Sequence, residues 1–343
     1  MKILVIRFSS LGDVVLVTPL FQKIKHHYPS SHVTFLTDRK FIDLFRTDPN
    51  IDRIMPYNVS GESLMYLIRY LKKIREERYD MIIDCHIIPR SLFFLFLGRA
   101  AGRKRLNKFS LQRRLMVKSH IRKMIPHIVD RYLATFNGKN GNDYKPKIYL
   151  EKKEMEKLGK LLSKMRGRKK VVGFSPGASK KAKMWQLEKL QNLALTLTEK
   201  NNVYIVLFGN KSEISLVKRI QEELHNRCLN LVGKTGIREL ALFLKGCDVL
   251  FSTDSGTMHI AVAVGTPVVS IFGPTVPEFG FAPYNQKSVI VSKPLPCRPC
   301  SLHGTDICPL GHHDCMKLID VEEVRMEIER LLANEKTRIK EKG

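Results

Sequence analysis

Short apolar runs alternate with longer stretches of helical spacing along the first part of the chain. The runs KILVIRF (2–8), HVTFLT (32–37), DRIMPY (52–57) and YDMIIDC (79–85) are rich in Val, Ile and Met and predict buried strands. Residues 14–27 and 62–78 carry the spacing of amphipathic helices. Strands that alternate with helices in this way predict βαβ units around a parallel sheet.

A second series of the same kind follows a Lys-rich stretch, after a helix predicted at residues 151–168. Its predicted strands are VVGFSP (171–176), NVYIVLFG (202–209), CLNLVG (228–233), DVLFST (248–253) and PVVSIFG (267–273). Its predicted helices cover residues 187–200, 212–225, 237–246 and 257–264. The chain is therefore predicted to be an α/β protein with two Rossmann-like, doubly wound domains at 1–165 and 166–320. A last helix (321–336) and a charged tail complete the predicted segment 321–343.

Four polar features lie at predicted strand-to-helix turns: Asp13, residues 177–183, residues 209–213 and residues 254–259. In doubly wound sheets, ligands bind beyond the carboxyl ends of the strands. We therefore expect all four features to face a cleft between the two domains.

The charge of the chain narrows the choice of partners. Its 343 residues include 59 Lys and Arg against 33 Asp and Glu, a formal net charge of +26, which favours polyanionic partners. No apolar run approaches the ~20 residues of a membrane span. The N-terminus lacks the pattern of a signal peptide, so a cytoplasmic location is expected.

Positive charge is concentrated between residues 85 and 129, which contain eleven Lys and Arg and no acidic residue. The apolar stretch SLFFLFLG (91–98) precedes most of it, a combination that suits an anionic amphiphile or the surface of a membrane. A solvated basic surface is the alternative. A nucleic-acid-binding protein is the third interpretation and ranks far below, because Phe109 is the one aromatic residue between Arg99 and Lys123.

Three motifs at the strand ends suit a phosphorylated ligand. In TDSGTMH (253–259), free N–H groups at the start of a helix form an anion site, although simple capping also explains the motif. In FSPGASKKAKMW (174–185), a Gly-containing turn followed by lysines suits a diphosphate; a lysine-rich surface loop is the alternative. In LFGNKSE (207–213), Glu213 suits a ribose hydroxyl or merely the helix dipole.

Four cysteines cluster near the end of the chain with the spacing C-x2-C-x7-C-x6-C. Clustered cysteines of a cytoplasmic protein are typical of metal ligands, so a structural zinc site is a candidate. Reduced structural thiols are the alternative. The candidate ligands are Cys297, Cys300, Cys308 and Cys315.

These motifs together resemble the ADP-heptose:lipopolysaccharide heptosyltransferases, glycosyltransferase family 9. The resemblance rests on SSLGDVVLVTPL, FSPGASKKAKMW, LFGNKSE, STDSGTMHIAVAVGTPVVSIFGPT and CPLGHHDCM, in order from residue 1 to about 320. It implies a GT-B fold and inverting transfer of heptose from ADP-heptose to the lipopolysaccharide inner core, with no cofactor required. The N-terminal domain would then bind the acceptor, and the C-terminal domain would bind the nucleotide sugar.

The resemblance also implies roles for particular residues. Asp13 falls on the catalytic base, Lys183 on the lysine that steadies the phosphates and Glu213 on the ribose-binding carboxylate. The donor site would comprise Ser175, Gly177, Ser179, Glu213, Asp254, Ser255, Gly256, Thr257, Met258 and His259. A basic patch of Arg103, Lys104, Arg105, Arg113 and Arg114 would meet the acidic acceptor, lipid A carrying Kdo, at the cytoplasmic face of the inner membrane. No nucleic-acid partner is expected.

The chemistry of an inverting transfer agrees with these roles, since one base takes the acceptor proton while a diphosphate leaves. Asp13 would also suit an N-cap of the first helix, and the two roles are compatible. The chain departs from the family pattern after FGPT, where residues 276–279 are VPEF instead of a segment that begins Asp-Pro. Another nucleotide-sugar donor or glycan acceptor therefore remains the alternative within the same family.

Overall fold

The structure is a computed structural model that describes residues 1–61, 63–136, 143–167, 169–200 and 202–340. Glu62 and Arg168, at the ends of two predicted helices, and the end of the predicted tail (341–343) lie outside the described residues. The chain divides into two compact units. Unit 1 comprises Met1–Phe109 and Pro126–Tyr149, and unit 2 comprises Ser110–Ile125 and Leu150–Gly343.

The elements up to residue 149 include five strands and six helices within the part that the structure describes. They are β1 Lys2–Ile6, α1 Leu11–Leu16, α2 Thr18–His27, β2 His32–Asp38, β3 Arg53–Tyr57, α3 Leu64–Glu77, β4 Tyr79–Asp84, α4 Pro89–Leu97, β5 Ala100–Arg105, α5 Ser110–Ser119 and α6 Ile128–Leu133.

The remaining elements all belong to unit 2. They are α7 Lys152–Arg166, β6 Lys170–Ser175, α8 Leu187–Lys200, β7 Val203–Leu207, α9 Ile214–Leu224, β8 Cys228–Asn230, α10 Ile237–Lys245, β9 Val249–Thr253, α11 Gly256–Val264, β10 Val268–Ile271, β11 Val289–Val291, α12 Asp314–Lys317 and α13 Val321–Lys340.

Unit 1 contains a parallel sheet of five strands in the order β3-β2-β1-β4-β5. The central strand β1 pairs Ile3 with Val33 of β2 on one side and with Met81 of β4 on the other. All of β1 after Lys2 is buried, as expected for a strand covered on both faces. The predicted alternation of strands and helices is therefore confirmed in this unit.

Unit 2 contains a parallel sheet of six strands in the order β11-β10-β9-β6-β7-β8. Its hydrophobic core joins β6, β7, β9 and β10 to the inner faces of α8, α9 and α13. Helix α11 is apolar on every side, and seven of its nine residues are buried, because it packs against both β9 and β10. Two Rossmann-like units confirm the predicted fold class.

The structure differs from the sequence prediction in several places, which include the added strand β11 and the two differences that follow. The single helix predicted at 14–27 begins three residues earlier and divides at Val17 into α1 and α2. Pro19 explains the division, because proline lacks the N–H of a helix interior and is favoured in a first turn. The basic run at 100–105 is also a strand, β5, at the edge of the sheet. Among the described residues, no helix is long and apolar enough to span a bilayer.

Asp48 is a buried carboxyl group that we expect to make the stability of unit 1 depend on pH. Burial raises its pKa to about 6, although two hydrogen bonds from Asn50 oppose the shift. A raised carboxyl pKa means that the folded state binds the proton more tightly than the unfolded chain does. The contribution of Asp48 to the free energy of unfolding is therefore fully present below about pH 4 and is lost as the pH rises through 6.

Asp48→Asn is expected to increase the free energy of unfolding above pH 6 by up to ~3 kcal/mol, with no gain below pH 4. Denaturant titrations across this pH range measure the difference. Asp143→Asn is the control, because that side chain is 75% exposed and should show no such gain. A gain that is independent of pH would contradict the assignment of the effect to Asp48 ionisation.

Candidate active site

Asp13 lies in the first turn of α1, just beyond the carboxyl end of β1. The hydroxyl of Ser10 donates to Asp13 Oδ2 at 2.8 Å, and the Ser10 backbone N–H lies 3.4 Å from the same oxygen. Ser10 is therefore the N-cap, and Asp13 is the third residue of the helix, whose carboxylate reaches back to the cap. The alternative that Asp13 itself is the N-cap is therefore wrong, although its carboxylate takes part in the capping box; its side chain keeps 16% of its surface exposed.

Two buried groups hold the Asp13 carboxylate. Arg7 Nη2 lies 2.6 Å from Asp13 Oδ2, and Arg7 Nη1 donates to the carbonyl of Cys85 at 2.7 Å. Burial lowers the pKa of Arg7, but Asp13, Tyr132 and Cys85 together raise it above its usual value. The Tyr132 hydroxyl donates to Asp13 Oδ1 at 3.4 Å, and burial raises the pKa of this phenol. Asp13 thus has a permanently charged counter-ion and a neutral hydrogen-bond donor.

His86 lies close to this network, in the turn after β4. Asp84 Oδ1 accepts the backbone N–H groups of His86 and Ile87 at 2.7 and 3.0 Å, which fixes the turn. Burial, Arg7 and Lys108 lower the pKa of His86 to about 3, so its ring is neutral. Its Nδ1 accepts the N–H of Phe8 at 3.4 Å, which leaves the hydrogen of the ring on Nε2.

Sequence reasoning did not select Arg7, His86 or Tyr132. A signal existed for the first two, because each follows closely the end of a central strand, as Asp13 does. Tyr132 had no such signal, because it is 119 residues from Asp13 and reaches it only through the packing of α6.

In unit 2, Lys183 and Asp254 come together from two different strand-to-helix turns. Lys183 Nζ donates to Asp254 Oδ2 at 2.6 Å, and the side chains are only 9% and 15% exposed. Thr275 Oγ1 donates to the same carboxylate oxygen at 2.7 Å. Lys183 of the 174–185 motif and Asp254 of the 253–259 motif thus form an ion pair with each other. Thr275, in the sequence FGPT, is a further hydrogen-bond partner of Asp254.

Glu213 lies against two glycines at the ends of β6 and β7. A Cβ atom on Gly177 would be 2.0 Å from Glu213 Cδ, and one on Gly209 would be 2.4 Å from Oε2. Asn210 donates to both carboxylate oxygens, each at 3.0 Å. Burial raises the pKa of Glu213, and the bonds from Asn210 oppose this shift. The hydroxyl of Thr253, at the end of β9, donates to the carbonyl of Gly177 and joins a third turn to the group.

The predicted donor-site residues differ in their access to a ligand. Ser255, Gly256 and Thr257 are half-buried at the start of α11, where helix N–H groups and the dipole favour an anion. Met258 and His259 are buried, with 0% and 5% of their surfaces exposed, so they support this turn from inside. In the first turn of the unit, Ser175 is buried and Ser179 is exposed.

The cysteine segment, residues 297–315, packs against the turn that carries Lys183. Gly304 contacts the stem of Lys183, since a Cβ atom there would lie 2.9 Å from Lys183 Cε. The Ala182 N–H donates to the Thr305 carbonyl at 3.0 Å, and His313 Nε2 lies 2.8 Å from the Ala182 carbonyl. The segment therefore supports the lysine from outside.

Arg298 fixes the other end of the cysteine segment. It is 1% exposed and donates to the carbonyls of Phe272, Thr275 and Lys293. Because Thr275 also binds Asp254, this arginine holds the partner of the Lys183 ion pair in place.

The predicted zinc site gains no support from the structure. Among the described residues, no three His, Cys, Asp or Glu side chains are grouped closely enough to hold a metal ion. Cys300 donates instead to the Cys297 carbonyl at 3.2 Å, and Cys315 is buried against Gly273. Burial raises the pKa of the Cys300 and Cys315 thiols to about 11, and neighbouring cysteine thiols add to the shift. All four cysteines, including Cys308, are free thiols.

The residues of the predicted acceptor patch differ in availability. Arg103 donates to the Leu95 and Gly98 carbonyls at 2.9 and 3.0 Å, which caps the end of α4. Arg113 is 8% exposed and lies over the ring of Phe279 in unit 2. Both arginines are therefore engaged in structural contacts. Arg103, Arg105 and Arg114 are nevertheless exposed and Lys104 is half-buried, so only Arg113 is removed from the surface.

The two sets of residues have complementary chemistry. Unit 1 presents a carboxylate with a buried counter-ion at the end of β1, which suits a proton acceptor. Unit 2 presents an ammonium group, a helix N-terminus and a carboxylate at the ends of β6, β7 and β9, which suit a nucleoside diphosphate. Two Rossmann-like units with groups of this kind define a glycosyltransferase of the GT-B class.

Comparison with known proteins agrees with this class. The family model described as glycosyltransferase family 9 (heptosyltransferase) matches residues 67–308. Lipooligosaccharide heptosyltransferase 2 of Haemophilus influenzae is 28% identical over 85% of this chain and 88% of its own length. Among solved structures, a family 9 glycosyl transferase from Veillonella parvula has a TM-score of 0.79 at 20% identity, over 97% of both chains. Escherichia coli ADP-heptose lps heptosyltransferase II has a TM-score of 0.76 at 22% identity, over 98% and 100%.

The chain belongs to glycosyltransferase family 9 (heptosyltransferase) and is a glycosyltransferase. The matched residues include Lys183, Glu213 and Asp254, whereas Asp13 precedes them. The role of Asp13 therefore depends on the geometry of unit 1.

Proposed function

We propose that this protein transfers heptose from ADP-heptose to the inner core of lipopolysaccharide, with inversion at the anomeric carbon. The observation that carries the proposal is the ion pair between Lys183 and Asp254, which places an ammonium group beside the N-terminus of α11. The name of the Escherichia coli structure includes ADP-heptose and lps, and that of the Haemophilus influenzae relative includes lipooligosaccharide. These names support the same donor and acceptor here.

Asp13 acts as the general base in this proposal. Its carboxylate accepts the proton of the acceptor hydroxyl while that oxygen bonds to the anomeric carbon and the bond from that carbon to the ADP oxygen breaks. Arg7 and Tyr132 bind the two carboxylate oxygens and orient them. The neutral ring of His86 has its hydrogen on Nε2, which is a suitable donor to an acceptor oxygen.

Unit 2 binds the donor and stabilises the leaving ADP. The ammonium of Lys183 and the N–H groups of Ser255, Gly256 and Thr257 offset the charge that develops on the diphosphate. Asp254 contacts the heptose, and Glu213 accepts hydrogen bonds from the ribose. Asn210 already holds the Glu213 carboxylate in the turn, so little ordering is needed when the donor binds.

Gly177→Ala tests the role of Glu213 without removing its charge. The new Cβ would occupy the position of the carboxylate, so Glu213 must move, and we expect donor KM to rise about tenfold through a lost hydrogen bond. Isothermal titration with ADP measures the same loss directly. Gly236→Ala is the control, because its Cβ would make an ordinary contact of 3.6 Å. Equal ADP affinity in both variants would exclude Glu213 from the donor site.

The acceptor contacts proposed for unit 1 are Lys104 and Arg105, at the end of edge strand β5. We expect the double variant Lys104→Glu/Arg105→Glu to raise acceptor KM by at least about tenfold, since each charge near an anionic headgroup contributes ~1 kcal/mol. Donor KM should not change. The control is Lys72→Glu/Lys73→Glu on the exposed side of α3, which changes the net charge equally. An equal rise in both KM values would contradict an acceptor site.

The direct test of the proposed function is transfer itself. Purified protein is incubated with ADP-heptose and lipid A carrying Kdo, and mass spectrometry detects one added heptose. ADP binding without a product would point to another acceptor, such as a core that already carries one heptose. If the protein shows no ADP binding and forms no product, a different nucleotide sugar is favoured as the donor. The VPEF segment after FGPT, where the chain departs from the family pattern, is the sequence feature that would explain such a change.

A further inference from the structure

Residues 110–125 of unit 2 show an unusual distribution of buried and exposed side chains. Helix α5 buries Arg113 and Met116 and leaves Leu111 and Leu115 with 68% and 54% of their surfaces exposed. Beyond the helix, Ile121 and Met124 are 71% and 73% exposed. This segment therefore directs large apolar groups to solvent.

The buried side of the segment explains how it is held. The Arg113 guanidinium lies 5.3 Å and 5.2 Å from the ring centroids of Phe279 and Phe281. Arg122 donates to the Leu295 carbonyl at 3.0 Å, and the N–H of Ile125 donates to the carbonyl of Glu278 at 3.1 Å. The exposed apolar groups take no part in these contacts, so the fold of unit 2 does not require them.

The charges on the exposed side have one sign. Arg114, Lys118 and Lys123 are exposed among the apolar groups, and the sequence has no Asp or Glu from residue 85 to residue 129. Apolar side chains beside lysine and arginine are typical of elements that lie in a bilayer interface, with the cations at the headgroups.

We propose that this surface docks the protein on a bilayer with anionic headgroups. The lipid-facing surface consists of Leu111, Leu115, Ile121 and Met124 with Arg114, Lys118 and Lys123. The proposal rests on the proposed function in one respect, since a lipid-anchored acceptor brings the enzyme to a membrane surface. The apolar groups enter the boundary of the acyl chains, and the cations contact the phosphates.

Other occupants suit this surface less well. A second copy of the chain would bring like charges together. A nucleic acid would need aromatic residues for stacking, and residues 110–125 contain no Phe, Tyr or Trp. A sugar chain would need hydrogen-bond donors where leucine, isoleucine and methionine side chains lie.

The test is flotation with phosphatidylcholine vesicles and with equimolar phosphatidylcholine and phosphatidylglycerol vesicles. We expect the protein to float with the anionic vesicles. Leu111→Ser/Leu115→Ser and Ile121→Ser/Met124→Ser should each lower the partition coefficient about tenfold or more. Leu318→Ser/Met326→Ser is the control, since these side chains are 53% and 58% exposed outside the surface.

Two results would overturn the proposal. Equal binding by the serine variants and the control would show that the net charge alone adsorbs the protein. A loss of transfer to a deacylated, water-soluble acceptor in the serine variants would assign these side chains to the acceptor site instead. Failure of the unaltered protein to transfer heptose would contradict the proposed function alone, because flotation does not depend on activity.

Discussion

Asp13→Asn is expected to slow transfer by about 10²–10⁴-fold, the usual contribution of a general base, while ADP binding stays unchanged. The amide keeps the size of the side chain and one oxygen, which can accept from Ser10 or from Tyr132 but not from both, because the two hydroxyls donate to different oxygens of Asp13. It cannot take the proton of the acceptor hydroxyl. Single-turnover rates with a saturating acceptor measure the chemical step, and titration with ADP measures donor binding.

The variant also removes the counter-ion of Arg7, which is 6% exposed, so some loss of stability is expected. Asp52→Asn provides the matched control, because Asp52 forms an ion pair with Lys25 at 2.7 Å in the same unit. Thermal unfolding of both variants separates loss of stability from loss of chemistry. Transfer that falls only as far as it falls in Asp52→Asn would exclude Asp13 as the base.

The arrangement around Asp13 shows how far the sequence predicts a site. The sequence placed Asp13, Lys183, Glu213 and Asp254 at strand-to-helix turns, because parallel strands rich in Val and Ile are recognisable and their ends follow directly. It did not predict the partners of Asp13, since the predicted first strand (2–8) included Arg7, which the structure places just after β1, and Tyr132 is distant in sequence. Their contacts depend on tertiary packing, which local patterns do not encode.

For the basic stretch after residue 85, the sequence predicted more shared surface than the structure contains. Its composition predicted a common surface, but the structure engages Arg103 in capping α4 and buries Arg113 in unit 2. The segment SLFFLFLG is similarly divided, because Phe94 is fully buried and Phe96 is 58% exposed in the same helix. Composition predicts the kind of partner for such a stretch, whereas burial decides which side chains can reach it.

The cysteine segment illustrates a third case, in which spacing predicted one role and packing indicates another. C-x2-C spacing suggested a metal, yet Gly304, Thr305 and His313 contact the turn of Lys183. The same residues would be needed whether or not the thiols bind anything. The zinc site stays a prediction from spacing, and support of Lys183 is the role that the structure adds.

Lys183→Ala is expected to weaken ADP binding and to lower kcat/KM for the donor by about 10²–10³-fold, the cost of removing one group that stabilises developing charge. In the structure its ammonium pairs with Asp254, which Thr275 also binds, so the site is already ordered. On binding, the diphosphate becomes a second partner for the ammonium. The variant loses this attraction and leaves the Asp254 carboxylate to repel the phosphates.

Lys180→Ala is the matched control, since Lys180 lies in the same loop and pairs with the exposed Asp306 at 2.8 Å. Its loss removes one positive charge from the loop but no contact at the donor site. The double variant Lys183→Ala/Asp254→Asn separates the two causes, because removing the repelling carboxylate should restore part of the ADP affinity. If Lys180→Ala and Lys183→Ala weaken ADP binding equally, the loop acts only through its net charge, and Lys183 is not the phosphate ligand.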